Sequence, residues 1–425
     1  MRLDNFINSN YFKYPILAIL PLLVTGPFFP DLILSLSSAI FFLFIIKEKK
    51  FVLFKNKIFF YFILFCIICI LSSVLSDNIF FSLNSSLFYF RIGIFAFLIK
   101  YLLDIDGKLN EKFYYTLFVT FLFLIFDGYI QFFFGKNILQ FDMAHARVSS
   151  FFGNELILGS FLSRLTPLFF ALFILKKRNL FICTLCFSIL ILIDVLIFIS
   201  GERTAFFFLN LSILFLIIFV NKFKIIRIVT FVISMLVIFI IIITNDDIKN
   251  RMVTSTLNEL NIPFFSKSTN QEPEKKADIL INHQNFYAIA WRMFLDKPIL
   301  GHGPKMFRIK CKLKQYNPDY DEIINKNCST HPHNFYFQIL AEVGIFGFFF
   351  LLVANYYFIK LLINHIRLRL IKNKNYLTDY QLCLLASILI SFWPFSPNGN
   401  FFNNWLMIVY SFSFGFLLNS FKGRL

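Results

Sequence analysis

The sequence predicts an all-α polytopic membrane protein, and three observations carry that prediction. Of 425 residues, 58% are hydrophobic and only 15% charged, with 65 Phe among them. A soluble fold has too little interior to hide that much apolar surface. Many windows also exceed the roughly 20 apolar residues that a helix needs to cross a bilayer, whereas a barrel would show short alternating segments. Finally, the net charge of +17 is spread unevenly along the chain, in a way that reads as topology.

About twelve spans are expected. The first two, 15–29 and 32–46, have Arg2 and Lys13 ahead of them and Lys47, Lys49, Lys50, Lys55 and Lys57 behind. No signal-peptide cleavage pattern precedes the first, so it is expected to stay as an anchor. Spans 57–75 and 84–102 lead to Lys100, Lys108 and Lys112. Spans 113–134 and 154–175 lead to Lys176, Lys177 and Arg178. Spans 180–199 and 204–220 lead to Lys222, Lys224 and Arg227, and span 226–244 follows. After 334–359 come Lys360, Arg367, Arg369, Lys372 and Lys374, and after 379–395 and 401–419 come Lys422 and Arg424. The short connections on the other side hold Lys136, Arg147 and Arg203. The positive-inside rule then puts both termini in the cytoplasm. The basic balance thus gives no reason to invoke nucleic acid.

Spans one to nine occupy residues 1–244, a large outer loop 245–332, and spans ten to twelve 333–425. The middle of the loop, SKSTNQEPEKK (266–276), is polar and expected to be mobile. Residues 287–296 (YAIAWRMFLD) show helical periodicity, Pro298 stops that helix, and LGHGPKMF (300–307) reads as a turn. Cys66, Cys69, Cys183, Cys186 and Cys383 fall in spans and read as small apolar residues despite two C-x-x-C spacings. Cys311 and Cys328 both lie in the outer loop, where a disulfide is plausible.

Ionisable groups at the edges of apolar spans are the candidates for chemistry. In STHPHNFYFQILAEVGIFG (329–347), Pro332 suits the first turn of a helix, which puts His333 at the mouth of the span. The positive helix end keeps such an imidazole neutral and able to accept a proton. At helical spacing Tyr336, Phe337, Leu340, Gly344 and Gly347 share its face, the two glycines allowing a neighbouring helix to approach, while Glu342 points away. His331 is a second ionisable group beside it. Arg203, in SGERTAFF, stands at a helix start on the side that avoids positive charge, and a bound anion would resolve both conflicts. Pairing with Glu202 is the plainer reading. Arg91 is expected about seven residues inside a span, a costly position. Arg164, near Pro167, is similar. Arg147 opens the stretch re-entering the membrane, and Arg292 lies on the amphipathic loop helix, where a solvated role is the alternative. No acidic cluster has metal-ligand spacing and no nucleotide fingerprint is present, so neither metal nor cofactor is expected. Cations on one face with a histidine base suit a sugar carried on polyprenyl pyrophosphate, whose oxygens guanidinium groups match bidentately. An anionic lipid or solute transporter is the alternative of another class, usually with midplane charges between inverted repeats. A catalytically silent scaffold would leave Arg203 and His333 without purpose.

These stretches resemble the O-antigen ligase and O-antigen polymerase family of bacterial membrane glycosyltransferases. The family's signature is a histidine followed by Asn, Ser or Gln, nine residues, then two glycines three apart. His333-Asn334, FYFQILAEV and Gly344-Ile-Phe-Gly347 fit it throughout. SGERTAFF, DKPILGHGPKMF and RVSSFFGNELILG are supporting matches across residues 145–350. The resemblance implies a C-type membrane glycosyltransferase fold, His333 as base, and Arg203 gripping the lipid-linked pyrophosphate. A second gripping arginine belongs in the outer loop, and Arg292 is the candidate. The family pattern often has an arginine four residues before the aromatic that is Tyr287 here; this chain has His283. The implied activity is transfer of a glycan at the periplasmic face of the inner membrane to a lipid A-core sugar (ligase), another lipid-linked glycan (polymerase) or a protein hydroxyl. The place of the long loop just before the signature helix favours the ligase.

Overall fold

A computed structural model describes residues 3–144, 146–259, 279–318, 320 and 328–421. Helices account for nearly all regular structure, and among the described residues the only β pairing is two isolated bridges, Lys136 with Asp142 and Ala144 with Arg147. The principal helices are α1 (Asn10–Leu22), α2 (Phe28–Lys47), α3 (Lys57–Val74), α4 (Phe90–Ile105), α5 (Leu109–Phe134), α6 (Leu158–Ile174), α7 (Leu180–Ile199), α8 (Arg203–Phe219) and α9 (Lys224–Thr244). They continue with α10 (Ile279–Asp296), α11 (Phe335–Lys372), α12 (Asp379–Ser391) and α13 (Asn404–Ser420). Among the described residues, seven helical stretches are long and apolar enough to cross a membrane, and α6, α8 and α12 are shorter apolar helices. This is an all-α, multi-pass membrane protein.

Most expected spans fall on one helix, and the differences have local causes. The first span was expected at 15–29, but α1 ends at Leu22 and the chain turns through Gly26, at φ 120°, before Pro27 caps α2. The fourth was expected at 84–102; a short helix, Ile79–Ser86, precedes α4, the two together make one apolar stretch Ile79–Ile105, and Arg91 lies inside it at the start of α4. The loop helix α10 begins earlier than the periodicity indicated. The polar stretch 266–276 lies outside the described residues.

Helix α6 forms the centre: its residues are buried apart from Ser160, and it packs on α8 and α12. Helix α9 is the opposite case. It buries only Arg227, Thr230, Ser234 and Ile238, a stripe at helical spacing, against α7. That stripe is polar because Asp194 of α7 faces it. Arg227 donates to both Asp194 oxygens at 3.0 and 3.1 Å, and Ser234 donates to the same carboxylate at 3.1 Å. Arg227 is therefore helix-joining glue and not a loop cation reporting topology. Lys13 is corrected in the same way, buried in a 2.9 Å pair with Asp106.

Candidate functional site

The helix mouth. Helix α11 starts at Phe335, three residues after Pro332. Asn334 is its N-cap, accepting from the backbone N–H of Tyr336 at 2.9 Å and of Phe337 at 3.3 Å. Pro332 lies outside the helix. Between them His333 takes a left-handed backbone, φ 57°, which turns the chain into the cap. The N–H of Asn398, from the α12–α13 connection, holds the His333 carbonyl at 2.6 Å.

Helix α11 then breaks at Gly344, where φ is 72° and ψ −165°, a conformation open in practice only to glycine. The break corrects the idea of one continuous face running from His333 to both glycines. It also frees backbone groups, and the LGHG turn takes them up. The N–H of His302 donates to Ala341 at 3.1 Å, Gly303 to Glu342 at 2.8 Å, and Ile345 donates to the Pro298 carbonyl at 2.8 Å. A Cβ on Gly344 would strike the Ile299 carbonyl, and one on Gly301 would lie 2.6 Å from Val343 N. So Gly344 admits a loop backbone and not a neighbouring helix. Gly347 faces Val343 and Ile339 of its own helix. Glu342 accepts from Phe307 N at 3.0 Å and Gln338 Nε2 at 2.9 Å.

Three imidazoles meet at the mouth. The ring of His333 lies 4.2 Å from that of His331 and 5.2 Å from that of His283, centroid to centroid. Its Nε2 is 3.1 Å from Ser329 Oγ. His331 is held between Thr330 Oγ1 at 2.9 Å and the Asn398 carbonyl at 3.2 Å. Burial, then the neighbouring His283, pushes His333 down to about 4; burial, then His333, pushes His331 down to about 3. Both are neutral at physiological pH, and the main cause is desolvation rather than the helix dipole. Among the described residues no three His, Cys, Asp or Glu side chains are arranged to hold a metal ion. The disulfide Cys311–Cys328, Cα atoms 5.3 Å apart, anchors the strap that carries these histidines. Beside it, Tyr287 of α10 stacks on Phe337 at 4.7 Å. Next to that stack opens a cavity of about 520 Å³ lined by Tyr287, Trp291, Tyr336, Phe337, Leu340 and Phe348.

The arginine turn. Arg203 is the first residue of α8, and Glu202 before it caps a different helix. The Glu202 carboxylate accepts from Gly159 N at 2.6 Å, Ser160 N at 3.1 Å and Ser160 Oγ at 2.6 Å, at the start of α6. Arg147 donates to the Ser200 carbonyl at 3.2 Å and to Leu156 at 2.8 Å. It is placed by a knot below it, where Gln131 Oε1 accepts from Ser149 N and Ser150 N at 2.9 and 2.7 Å. Asp127 accepts there from Ser150 Oγ at 2.7 Å. Burial lowers the Arg147 pKa, Glu202 opposes that, and the charge of Arg203 lowers it further, so the two guanidinium groups sense one another. A third arginine joins them: Arg251 donates from Nε to the Gly201 carbonyl at 3.0 Å. Arg203 Nη1 reaches Thr256 Oγ1 at 3.5 Å.

A chain of hydrogen bonds links the two groups. Arg164 of α6 donates to the Ser160 carbonyl at 3.2 Å, to Tyr410 at 3.2 Å and to Asn398 Oδ1 at 3.0 Å. Glu202, Ser160, Arg164 and Asn398 thus run from the arginine turn to the ring of His331 and the backbone carbonyl of His333.

Of the residues singled out in the sequence, Arg147 and Arg203 come together, and His333 lies at the other end of the chain just described. Arg91 is held elsewhere, donating to Asp31 at 2.7 Å, which offsets its charge near the membrane. Arg292 is exposed on α10 and donates to the Tyr316 carbonyl at 2.9 Å; His283, on the same helix, is the residue that touches His333. Sequence reading passed over Arg251 and Asn398. Arg251 carried a signal, being a cation just past span nine on the side where positive charge is scarce. Asn398, in a polar turn, carried none.

The family model described as O-antigen ligase matches residues 186–352, a stretch that contains Arg203, Arg251, the LGHG turn and the His333 helix mouth. A comparison with curated proteins gives no match.

Proposed function

Taking as premise the assignment to the O-antigen ligase and polymerase family that this match supports, we propose that the chain moves a glycan from polyprenyl pyrophosphate to a sugar hydroxyl of a lipid A-core acceptor. The observation that carries this reading is the hydrogen-bonded path from the arginine turn through Ser160, Arg164 and Asn398 to the histidine mouth. It couples an anion-holding group to a neutral base across a short stretch of protein.

In this reading Arg203 and Arg147, with Arg251, grip the pyrophosphate, and the apolar cavity beside Tyr287 and Phe337 receives the start of the prenyl chain. The acceptor hydroxyl gives its proton to the unprotonated ring nitrogen of His333 while its oxygen bonds the anomeric carbon. The bond from that carbon to the pyrophosphate breaks, and its electron pair leaves with the polyprenyl pyrophosphate. Guanidinium groups stabilise the charge that grows there. The reaction as written draws on no metal or nucleotide. Gly344 contributes indirectly, by letting the LGHG turn dock and brace the mouth, and Asn334 by capping α11. The active site faces the periplasm, both termini are cytoplasmic, and the protein lies in the bacterial inner membrane.

A lipopolysaccharide profile of a deletion strain tests the acceptor. Loss of all capped glycan supports a ligase. Retention of a single repeat means a polymerase, and unchanged lipopolysaccharide refutes the lipid A-core acceptor.

A further inference from the structure

A second pair of cations sits on another part of the fold, and the charge of one of them, Arg308, acts on His331 at the histidine mouth. Lys305 and Arg308 lie on the turn and short helix (Phe307–Lys310) that follow the LGHG segment. This piece is fixed from three sides. Glu342 of α11 accepts from Phe307 N at 3.0 Å, Asp77 pairs with Lys310 and, at 2.9 Å, with Lys297, and Cys311 is tied to Cys328. The disulfide sets Arg308, three residues before Cys311, beside the strap in which His331 follows Cys328 by three. Accordingly the charge of Arg308 is among those that hold His331 neutral.

What distinguishes these two cations is that they share a single acid, Glu342, whose charge acts on both. Among the described residues neither side chain donates a hydrogen bond or belongs to an ion pair. Arg308 lies over the Phe81 ring, 6.0 Å from its centroid, with its Nε buried and unpartnered. Lys305 is half-buried with a left-handed backbone, φ 63°. Burial and then the nearby Arg308 hold its ammonium below the ordinary range, while Glu342 pulls the other way. The nearest acid, Glu342, has its oxygens engaged by Phe307 and Gln338. Two half-buried like charges that share one carboxylate, itself already hydrogen-bonded, keep a net positive charge that a ligand anion would meet.

We propose that Lys305 and Arg308 form a second anion subsite, separate from the arginine turn, which binds a phosphate or carboxylate group carried by the acceptor glycan close to the hydroxyl presented to His333. This rests on the functional reading above, in which the arginine turn serves the donor. It makes the enzyme selective for acceptors with an anionic substituent, since a neutral sugar would leave both cations desolvated and unmatched.

Equilibrium binding of three probes to the full chain in nanodiscs tests this without requiring transfer: a neutral methyl hexoside, its 6-phosphate and the corresponding methyl hexuronide. The phosphate and carboxylate forms distinguish the two sources of charge. The wild type should bind at least one anionic probe about tenfold or more tightly than the neutral one, with a preference that shrinks as salt rises. Lys305→Gln with Arg308→Gln should abolish the preference while leaving neutral binding unchanged, Arg308→Lys should keep part of it, and Arg203→Gln should keep it whole. Equal binding of all three probes by the wild type, a preference surviving in the double variant, or its loss in Arg203→Gln would each overturn the proposal. Anion preference in a protein that transfers no glycan would instead refute the function and leave the subsite standing.

Discussion

Replacing Gly344 by alanine should detach the LGHG turn from α11. Two costs add. The φ 72°, ψ −165° backbone is one that non-glycine residues adopt at about 1–3 kcal/mol. The new methyl would also meet the backbone of Ile299 and lie 2.7 Å from Leu300 N, atoms that cannot swing aside as a side chain can. Relieving that clash moves the loop away and breaks the bonds from His302, Gly303 and Ile345, worth about 1 kcal/mol each. Together these give about 4–6 kcal/mol, which is large for one methyl group. Hydrogen exchange with mass spectrometry on the protein in detergent reads the result. Amides of residues 302, 303 and 345 should exchange about a thousandfold faster or more, since each 1.4 kcal/mol is about tenfold. Gly347→Ala would crowd Val343, its methyl 2.6 Å from Cγ1, but strikes no loop backbone and needs no left-handed φ, so it should speed exchange at those amides far less than Gly344→Ala does. Wild-type protection in Gly344→Ala, or equal deprotection in both variants, would refute the loop-docking role.

Asp194→Ala should strand Arg227, 3% exposed, beside an empty counter-ion position and cost about 3–5 kcal/mol in thermal or denaturant unfolding; a loss under 1 kcal/mol contradicts the pair's role. Because His333 is held down to about 4 by burial and His283, transfer activity should persist to about pH 5 and fall as pH drops through about 4. A midpoint near the ordinary histidine value of about 6.5 would count against that environment. The same depression means that between about 6.5 and about 4 the unfolded chain binds protons that folded His333 does not, so its contribution to stability is full above that window and declines as pH falls through it. Cys311→Ser with Cys328→Ser should cost about 2–4 kcal/mol and expose the strap at 328–333 to protease; unchanged digestion would show that the disulfide does not order it.

Much of the fold was legible because membrane burial imposes a length and composition on each helix, so most expected spans fall on one. What failed were places where a side chain far along the chain supplies the reason. Arg227 and Lys13 read as loop cations because their partners, Asp194 and Asp106, are 33 and 93 residues away. The signature glycines suggested close helix packing, but the loop that fills the Gly344 break comes from residues 298–303, which no periodicity within α11 reveals. His333 was visible as a polar residue at the edge of an apolar helix. Its contacts with His283 and Asn398 were not, since His283 lies on another helix and Asn398 in a turn far along the chain.

Reconstituted transfer by purified protein in proteoliposomes, with a polyprenyl-pyrophosphate-linked glycan and a lipid A-core acceptor, tests the central claim most directly. The wild type should release polyprenyl pyrophosphate as glycan appears on the acceptor. His333→Ala should cut kcat by about a hundredfold or more with the donor KM nearly unchanged, and Arg203→Gln should raise the donor KM. Wild-type turnover from folded His333→Ala would contradict the account.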